Sequence, residues 1–172
     1  TNDKGAALTT EYDASMVGKT FIVKEKTAPT GYQVDPKEYK VTLGEKRTLL
    51  NLKDTPVPAL VNITAQKNLT GRRIVDQEFT FKLYDANGNA VAEAKNDTNG
   101  LITFSGVELK GTGTYNYSIG EVDTKNGGVT FDLERKYVTI EASRGADGFL
   151  KATVTTQPVV FNNSYAAAPA KV

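Results

Sequence analysis

Residues 61–69 of the chain read Val61-Asn-Ile-Thr-Ala-Gln-Lys-Asn-Leu69, an alternation of apolar and polar side chains that only Lys67 interrupts. Successive side chains of a β-strand point to opposite faces, so this alternation predicts a strand with one face in an apolar core. Lys67 has the same parity as Val61 and Ile63. The pattern therefore predicts that its amine points into the core.

The same period of two recurs along the chain, and no long window has helical periodicity. Thr and Val are abundant in these segments, and short groups of Gly and Asn separate them, as is typical of strands joined by tight turns. The sequence therefore predicts an all-β protein of tandem immunoglobulin-like β-sandwich modules. The strand candidates are Phe21–Glu25, Tyr39–Leu43, Val61–Leu69, Phe79–Tyr84, Leu101–Phe104, Tyr115–Glu121, Tyr137–Ala142, Leu150–Thr155 and Val159–Tyr165.

A proline-rich segment, Asp54-Thr-Pro-Val-Pro-Ala59, is the best candidate for a domain boundary. Two prolines within three residues interrupt strand pairing and stiffen a short linker. We therefore expect a partial module over residues 1–57, a complete sandwich over residues 58–165 and a linker or tail over residues 166–172. The first piece has few strands for an independent core.

The composition excludes several classes of function. The chain has 172 residues, a net charge of +1, and neither Cys nor His. Thiolate nucleophiles, Ser-His-Asp triads and Cys- or His-based metal sites are therefore excluded, and we predict no metal and no cofactor. The balanced charge argues against a nucleic-acid partner, and the short apolar runs argue against membrane insertion. A turnover enzyme is disfavoured.

Two further polar residues share the inward parity of Lys67. The strand that ends at Glu121 places this carboxyl on the same face as Ile119. The last strand, Val159–Tyr165, places Asn163 on the face of its apolar residues and Asn162 on the opposite face. Parity thus sends one lysine, one glutamate and one asparagine into the core.

These three groups form a reactive set. Burial lowers the pKa of a lysine and raises that of a glutamate. A neutral amine is a nucleophile, a carboxamide is an electrophile, and a protonated carboxyl can polarise the amide and shuttle the proton. Attack of Lys67 on Asn163 with loss of ammonia would make an isopeptide bond. The alternatives are that each group reaches water at a strand end, or that Lys67 and Glu121 form a simple ion pair.

Four segments, together covering roughly residues 58–165, carry a resemblance to a known family: Ile63–Arg72, Glu78–Leu83, Gly113–Glu121 and Val160–Tyr165. In them the sequence resembles the isopeptide-linkage domains of Gram-positive pilins and cell-wall surface proteins. The resemblance implies a bond from Lys67 to Asn163, assisted by Glu121. Asn162 is the competing assignment, and it has the wrong parity.

The segment Phe21–Tyr32 carries a second resemblance, through its pattern Glu-Lys-Thr-Ala-Pro-Thr-Gly-Tyr. It is similar to the collagen-adhesin B-type repeat of the same surface proteins. This likeness implies that Glu25 is the reactive glutamate. It also implies that Asp54, on a predicted closing strand Leu49–Asp54, is the acyl partner, whereas Asn51 is out of phase. The repeat's first strands, with their lysine, have no counterpart in residues 1–57.

One loop has the spacing of a calcium site, because Asp85, Asn87 and Asn89 stand at positions one, three and five. Position six is Ala90 where a calcium loop has Gly, and position twelve is Asn96 where it has Glu. We therefore predict a hairpin turn at this loop.

The two resemblances imply a structural stalk segment of a Gram-positive surface or pilus protein, with chemistry limited to a single self-catalysed crosslink. They imply an extracellular, cell-wall-anchored location, with anchor and signal outside this segment, and neighbouring modules as partners. The alternative is an adhesin module that binds a host protein or carbohydrate through its loops. That alternative is weakened because the loops offer no aromatic platform and no acidic metal cluster.

Overall fold

The computed structural model describes residues 12–46, 48–156 and 158–167. The chain divides into two compact units, Thr1–Thr55 and Pro56–Val172, so the division lies two residues before the boundary expected from the prolines. Residues 1–11 of the predicted first module and residues 168–172 of the predicted tail lie outside the described residues.

The described part of the first unit contains short strands and one 3₁₀ turn. Asp13 caps this turn, since its carboxylate accepts a hydrogen bond from Ser15 N at 2.7 Å. The prediction of a strand over Leu49–Asp54 was wrong, because residues 48–54 have irregular backbone and Leu49 is 71% exposed. The elements are the 3₁₀ turn Ala14–Met16 and strands β1 Thr20–Lys24, β2 Tyr32–Gln33 and β3 Glu38–Thr42, with β1 and β3 antiparallel. The two-residue strand β4, Thr55–Pro56, falls on the division between the two units.

The second unit is built from strands alone among its described residues, so the predicted all-β class is confirmed. Two of its strands, β7 and β10, have no counterpart among the predicted ones. The strands are β5 Ala59–Thr70, β6 Thr80–Tyr84, β7 Ala90–Lys95, β8 Leu101–Leu109, β9 Gly113–Glu121, β10 Val129–Thr130, β11 Lys136–Arg144, β12 Leu150–Val154 and β13 Val159–Tyr165.

These strands form two sheets, ordered β10-β13-β5-β8 and β12-β11-β9-β6-β7. The first long strand, β5, and the last, β13, lie side by side and run parallel, with Lys67 paired to Phe161 and Leu69 paired to Asn163. The other pairs within both sheets run antiparallel. The two ends of the unit's chain therefore meet in one sheet.

The core lies between the inner faces of the two sheets. Strand β5 turns toward it the face that the sequence alternation predicted. Ile63, Ala65 and Lys67 are buried, whereas Asn62 and Thr64 are exposed. The fully buried apolar side chains come from both sheets and their connections, and they include Phe79, Phe81, Leu83, Ile102, Leu109, Ile119, Ile140 and Phe161.

The hairpin between β6 and β7 occupies the loop with calcium-like spacing. The Asp85 carboxylate accepts hydrogen bonds from the main-chain N–H groups of Asn87 and Asn89, at 2.9 and 2.8 Å. Asp85 therefore shapes a turn, as the sequence predicted. In the described part of the chain, no helix has the length and apolar character needed to cross a membrane.

Candidate functional site

Lys67, Glu121 and Asn163 meet in the core of the second unit. Lys67 lies on β5, Asn163 on the adjacent strand β13, and Glu121 at the end of β9 in the opposite sheet. Lys67 Nζ donates a hydrogen bond to Glu121 Oε2 at 2.9 Å, and Asn163 Nδ2 donates one to Glu121 Oε1 at 2.8 Å. One carboxylate thus bridges the amine and the carboxamide.

The three side chains are removed from water. Lys67 and Glu121 have side-chain exposures of 0%, and Asn163 is 3% exposed as a residue. The rings of Phe79 and Phe81 lie 5.0 and 5.8 Å from Lys67 Nζ, measured to their centroids. The alternative in which each polar group reaches water is therefore wrong. The Lys67–Glu121 ion pair is present, and it forms one half of the bridge.

Burial drives both titratable groups toward their neutral forms. Removal from water lowers the pKa of the Lys67 amine, and the hydrogen bond with Glu121 opposes this shift. Burial likewise raises the pKa of the Glu121 carboxyl, against the hydrogen bonds that Lys67 and Asn163 donate to it. The environment therefore favours the neutral amine, which is the nucleophilic form.

The orientation of the Asn163 carboxamide is fixed from its other side. The main-chain N–H of Asp132 donates a hydrogen bond to Asn163 Oδ1 at 2.7 Å. Since an N–H can only donate, it requires the oxygen of the carboxamide, which leaves Nδ2 facing Glu121. Glu121 therefore contacts the nitrogen of the carboxamide. Of the two roles expected for this carboxyl, its position suits proton transfer and not polarisation of the carbonyl.

A close turn holds the main chain at Lys67. Lys67 N donates to Gly100 O at 2.7 Å, and the Gln66 side chain donates to Asn99 O at 2.8 Å. Gly100 has a φ of +80°, and a Cβ at this position would lie 2.0 Å from Lys67 O. Only glycine fits this contact, so the turn before β8 holds the nucleophile's backbone in place.

Asn162, the competing assignment, lies on the opposite face of β13. It is exposed, and its Oδ1 accepts a hydrogen bond from Asn68 Nδ2 at 2.9 Å. The side chain is thus on the outer surface of the sheet, as its parity predicted.

The structure also describes the two residues singled out in the first unit, Glu25 and Asp54. Glu25 follows β1, is half-buried, and accepts a hydrogen bond from Asp35 N at 2.6 Å. Asp54 is half-buried in the irregular segment before β4. The contact that fixes Glu25 is thus with Asp35, and the assignment of Glu25 and Asp54 to a crosslink stays a prediction.

Sequence reasoning missed Asp132, which lies between β10 and β11. Its N–H contacts Asn163, and its Oδ2 accepts a hydrogen bond from Asn162 N at 3.1 Å. A main-chain donor has no side-chain signature, so strand parity could not have found it.

Three comparisons with known proteins bear on the family of the chain. A family model described as FctA, the Spy0128-like isopeptide containing domain, matches residues 63–166. A search of curated proteins gives no match. The solved structure of the Bacillus anthracis TIE protein is similar at 20% identity with a TM-score of 0.35, over 86% of this chain and 25% of that one. The chain thus spans about a quarter of that protein's length.

Proposed function

The chain belongs to the FctA family of Spy0128-like isopeptide-containing domains, and from this membership we propose that its second unit is a load-bearing module closed by a Lys67–Asn163 isopeptide bond. The family is one of Gram-positive surface and pilus structural modules and is not a known enzyme family. The observation that carries the proposal is the Glu121 carboxylate, which hydrogen-bonds to both Lys67 Nζ and Asn163 Nδ2.

The atoms exchanged in the reaction all come from these three side chains. The neutral amine of Lys67 attacks Cγ of Asn163, and a new N–C bond forms. Glu121, which carries the single proton of the pair when the amine is neutral, delivers it to Nδ2, which departs as ammonia when the old C–N bond breaks, and takes up a proton from Nζ. Glu121 ends in its starting protonation state. Because the acceptor carboxamide is consumed, each chain reacts once.

The position of the bond suits a stalk. β5 and β13 are the first and last long strands of the unit and lie side by side in one sheet. Tension applied to the two ends of the unit enters through β5 and leaves through β13. A bond between Lys67 and Asn163 carries this load past the 95 residues of chain between them, residues 68–162.

The same proposal places the module outside the cell, in a wall-anchored surface protein or pilus whose neighbouring modules are its partners. The family supports the surface location. Binding of a host protein or carbohydrate through the loops stays a prediction, because no contact or charge cluster described above favours it.

Single-molecule pulling from the two ends of the whole chain tests the function. We expect Asn163→Ala to extend further than the wild type by roughly 300 Å, since about 95 more residues at ~3.3 Å each become free to stretch. Asn162→Ala is the matched control and should extend like the wild type. Equal extensions of the wild type and Asn163→Ala would contradict a load-bearing crosslink.

A further inference from the structure

Asp132 contacts the reacting strand at two points. Its N–H donates to Asn163 Oδ1 at 2.7 Å, and its carboxylate oxygen Oδ2 accepts from Asn162 N at 3.1 Å. The other carboxylate oxygen, Oδ1, lies 3.5 Å from Lys136 Nζ. Asp132 thus contacts the main chain of Asn162 and the side chain of Asn163. Its own carboxylate lies beside Lys136.

Attack of an amine on a carboxamide places negative charge on the carbonyl oxygen. In this site the oxygen is Asn163 Oδ1, and Glu121 lies on the opposite, nitrogen side of the carboxamide. A donor about 2.7–3.1 Å from the developing charge, fixed in a buried site, stabilises the tetrahedral intermediate. The Asp132 N–H already satisfies this geometry before reaction.

We propose that the main-chain N–H of Asp132 is the oxyanion donor of the crosslinking reaction, and that its carboxylate positions this N–H. The inference rests on the proposed function and adds a second catalytic group to Glu121. As the Lys67 Nζ–Cγ bond forms, the carbonyl electron pair moves onto Oδ1, where the N–H stabilises it. The pair returns to the carbon as the C–N bond to ammonia breaks.

The side chain of Asp132 has partners other than the Asn163 carboxamide. Its two oxygens are directed to the Asn162 N–H and to Lys136 Nζ, which also pairs with Glu134. Lys136 also lies within 6.0 Å of the Phe161 ring centroid, beside the same strand. The carboxylate therefore acts as an anchor that holds the N–H against Asn163.

Three changes separate the contribution of the Asp132 N–H from that of its carboxylate. Asp132→Pro removes the N–H, and so does an ester in place of the Phe131–Asp132 peptide bond, which keeps the aspartate side chain. Asp132→Ala removes only the carboxylate and keeps the N–H. Circular dichroism shows which variants fold. If Asp132→Pro does not fold, the ester variant tests the loss of the N–H.

The rate is measured on whole chains diluted from denaturant before they have reacted, with the crosslinked fraction read from the loss of one ammonia in the intact mass. We expect the ester and Asp132→Pro to react about 10²–10³-fold more slowly than the wild type, and Asp132→Ala to be less than about tenfold slower. A folded ester chain that reacts at the wild-type rate would overturn the inference. The inference would also be overturned if Asp132→Ala reacted as slowly as the ester chain. A wild type that never loses ammonia would instead contradict the proposed function.

Discussion

Asn162 and Asn163 are neighbours in sequence and lie on opposite faces of the last strand. The side chain of Asn162 is on the surface with Asn68, whereas that of Asn163 is buried and donates to Glu121. Asn162 is therefore an internal control for Asn163, because the same residue type lies outside the site one position away. The strand's period of two alone makes this difference.

Thermal unfolding should separate the two asparagines. A covalent link that closes a loop of about 100 residues contributes roughly 4–5 kcal/mol by the chain-entropy model. We therefore expect Asn163→Ala to lower the Tm by about 15–30 °C, and Asn162→Ala to lower it by only a few degrees. Calorimetry measures both. Similar Tm values for the two variants would argue against the crosslink.

Replacement of Glu121 by glutamine tests proton transfer. The carboxamide of the variant would keep the size of the side chain but could not carry a proton from Lys67 Nζ to the departing nitrogen, so Glu121→Gln should leave the chain uncrosslinked. Glu141→Gln on β11 is the matched control, because Glu141 is exposed and its side chain bonds only to Thr114 among the described residues. Intact mass of the folded protein gives the result. A fully crosslinked Glu121→Gln protein would remove Glu121 from the mechanism.

The rate of crosslinking should have a bell-shaped dependence on pH. The reactive pair of Lys67 and Glu121 holds one proton, so the rate falls at low pH, where both groups are protonated, and at high pH, where both are deprotonated. Burial raises the pKa of Glu121 from its ordinary 4.5 and lowers that of Lys67 from its ordinary 10.5. The acid limb should therefore lie above pH 4.5 and the basic limb below pH 10.5. Refolding from denaturant at a series of pH values measures this, and a rate that still rises beyond pH 10.5 would contradict the shifted lysine.

The turn at Gly100 offers a test of how the nucleophile is positioned. Gly88→Ala should cost about 1–2 kcal/mol for its positive φ alone, since a Cβ at Gly88 meets nothing within 4 Å. Gly100→Ala carries a similar φ cost and also drives a Cβ against Lys67 O. We expect Gly100→Ala to be clearly less stable than Gly88→Ala in urea unfolding and to crosslink more slowly. Equal behaviour of the two variants would mean that the turn does not hold Lys67.

Much of the core and of the site could be predicted because a strand's parity is a local property. Lys67, Glu121 and Asn163 lie on regular stretches of β5, β9 and β13. On such a stretch, one apolar residue known to face the core determines which face every other residue of the strand occupies. Parity carries no information on the distances between strands. It could nevertheless indicate that three polar groups share one interior, and the structure places them there.

The misses have different physical causes. The sequence predicts a strand that ends at Phe104, whereas β8 continues to Leu109. A bulge near Gly106 shifts the inward-facing positions from Ile102 and Phe104 to Val107 and Leu109. The alternation therefore breaks although the strand continues. β7 lies at the edge of its sheet and turns only small alanines toward the core, so its apolar signal is weak. The role of Asp132 depends on a main-chain group brought near by the fold.

The central claim, a covalent bond between Lys67 and Asn163, is tested most directly by mass spectrometry of the purified wild-type protein. We predict an intact mass lower than that of the sequence by one ammonia, and a proteolytic digest containing a branched peptide that joins Lys67 to Asn163. Asn163→Ala should have its full calculated mass, while Asn162→Ala should still lose ammonia. A wild-type mass equal to that of the sequence, or a branch at any other pair of residues, would contradict the account.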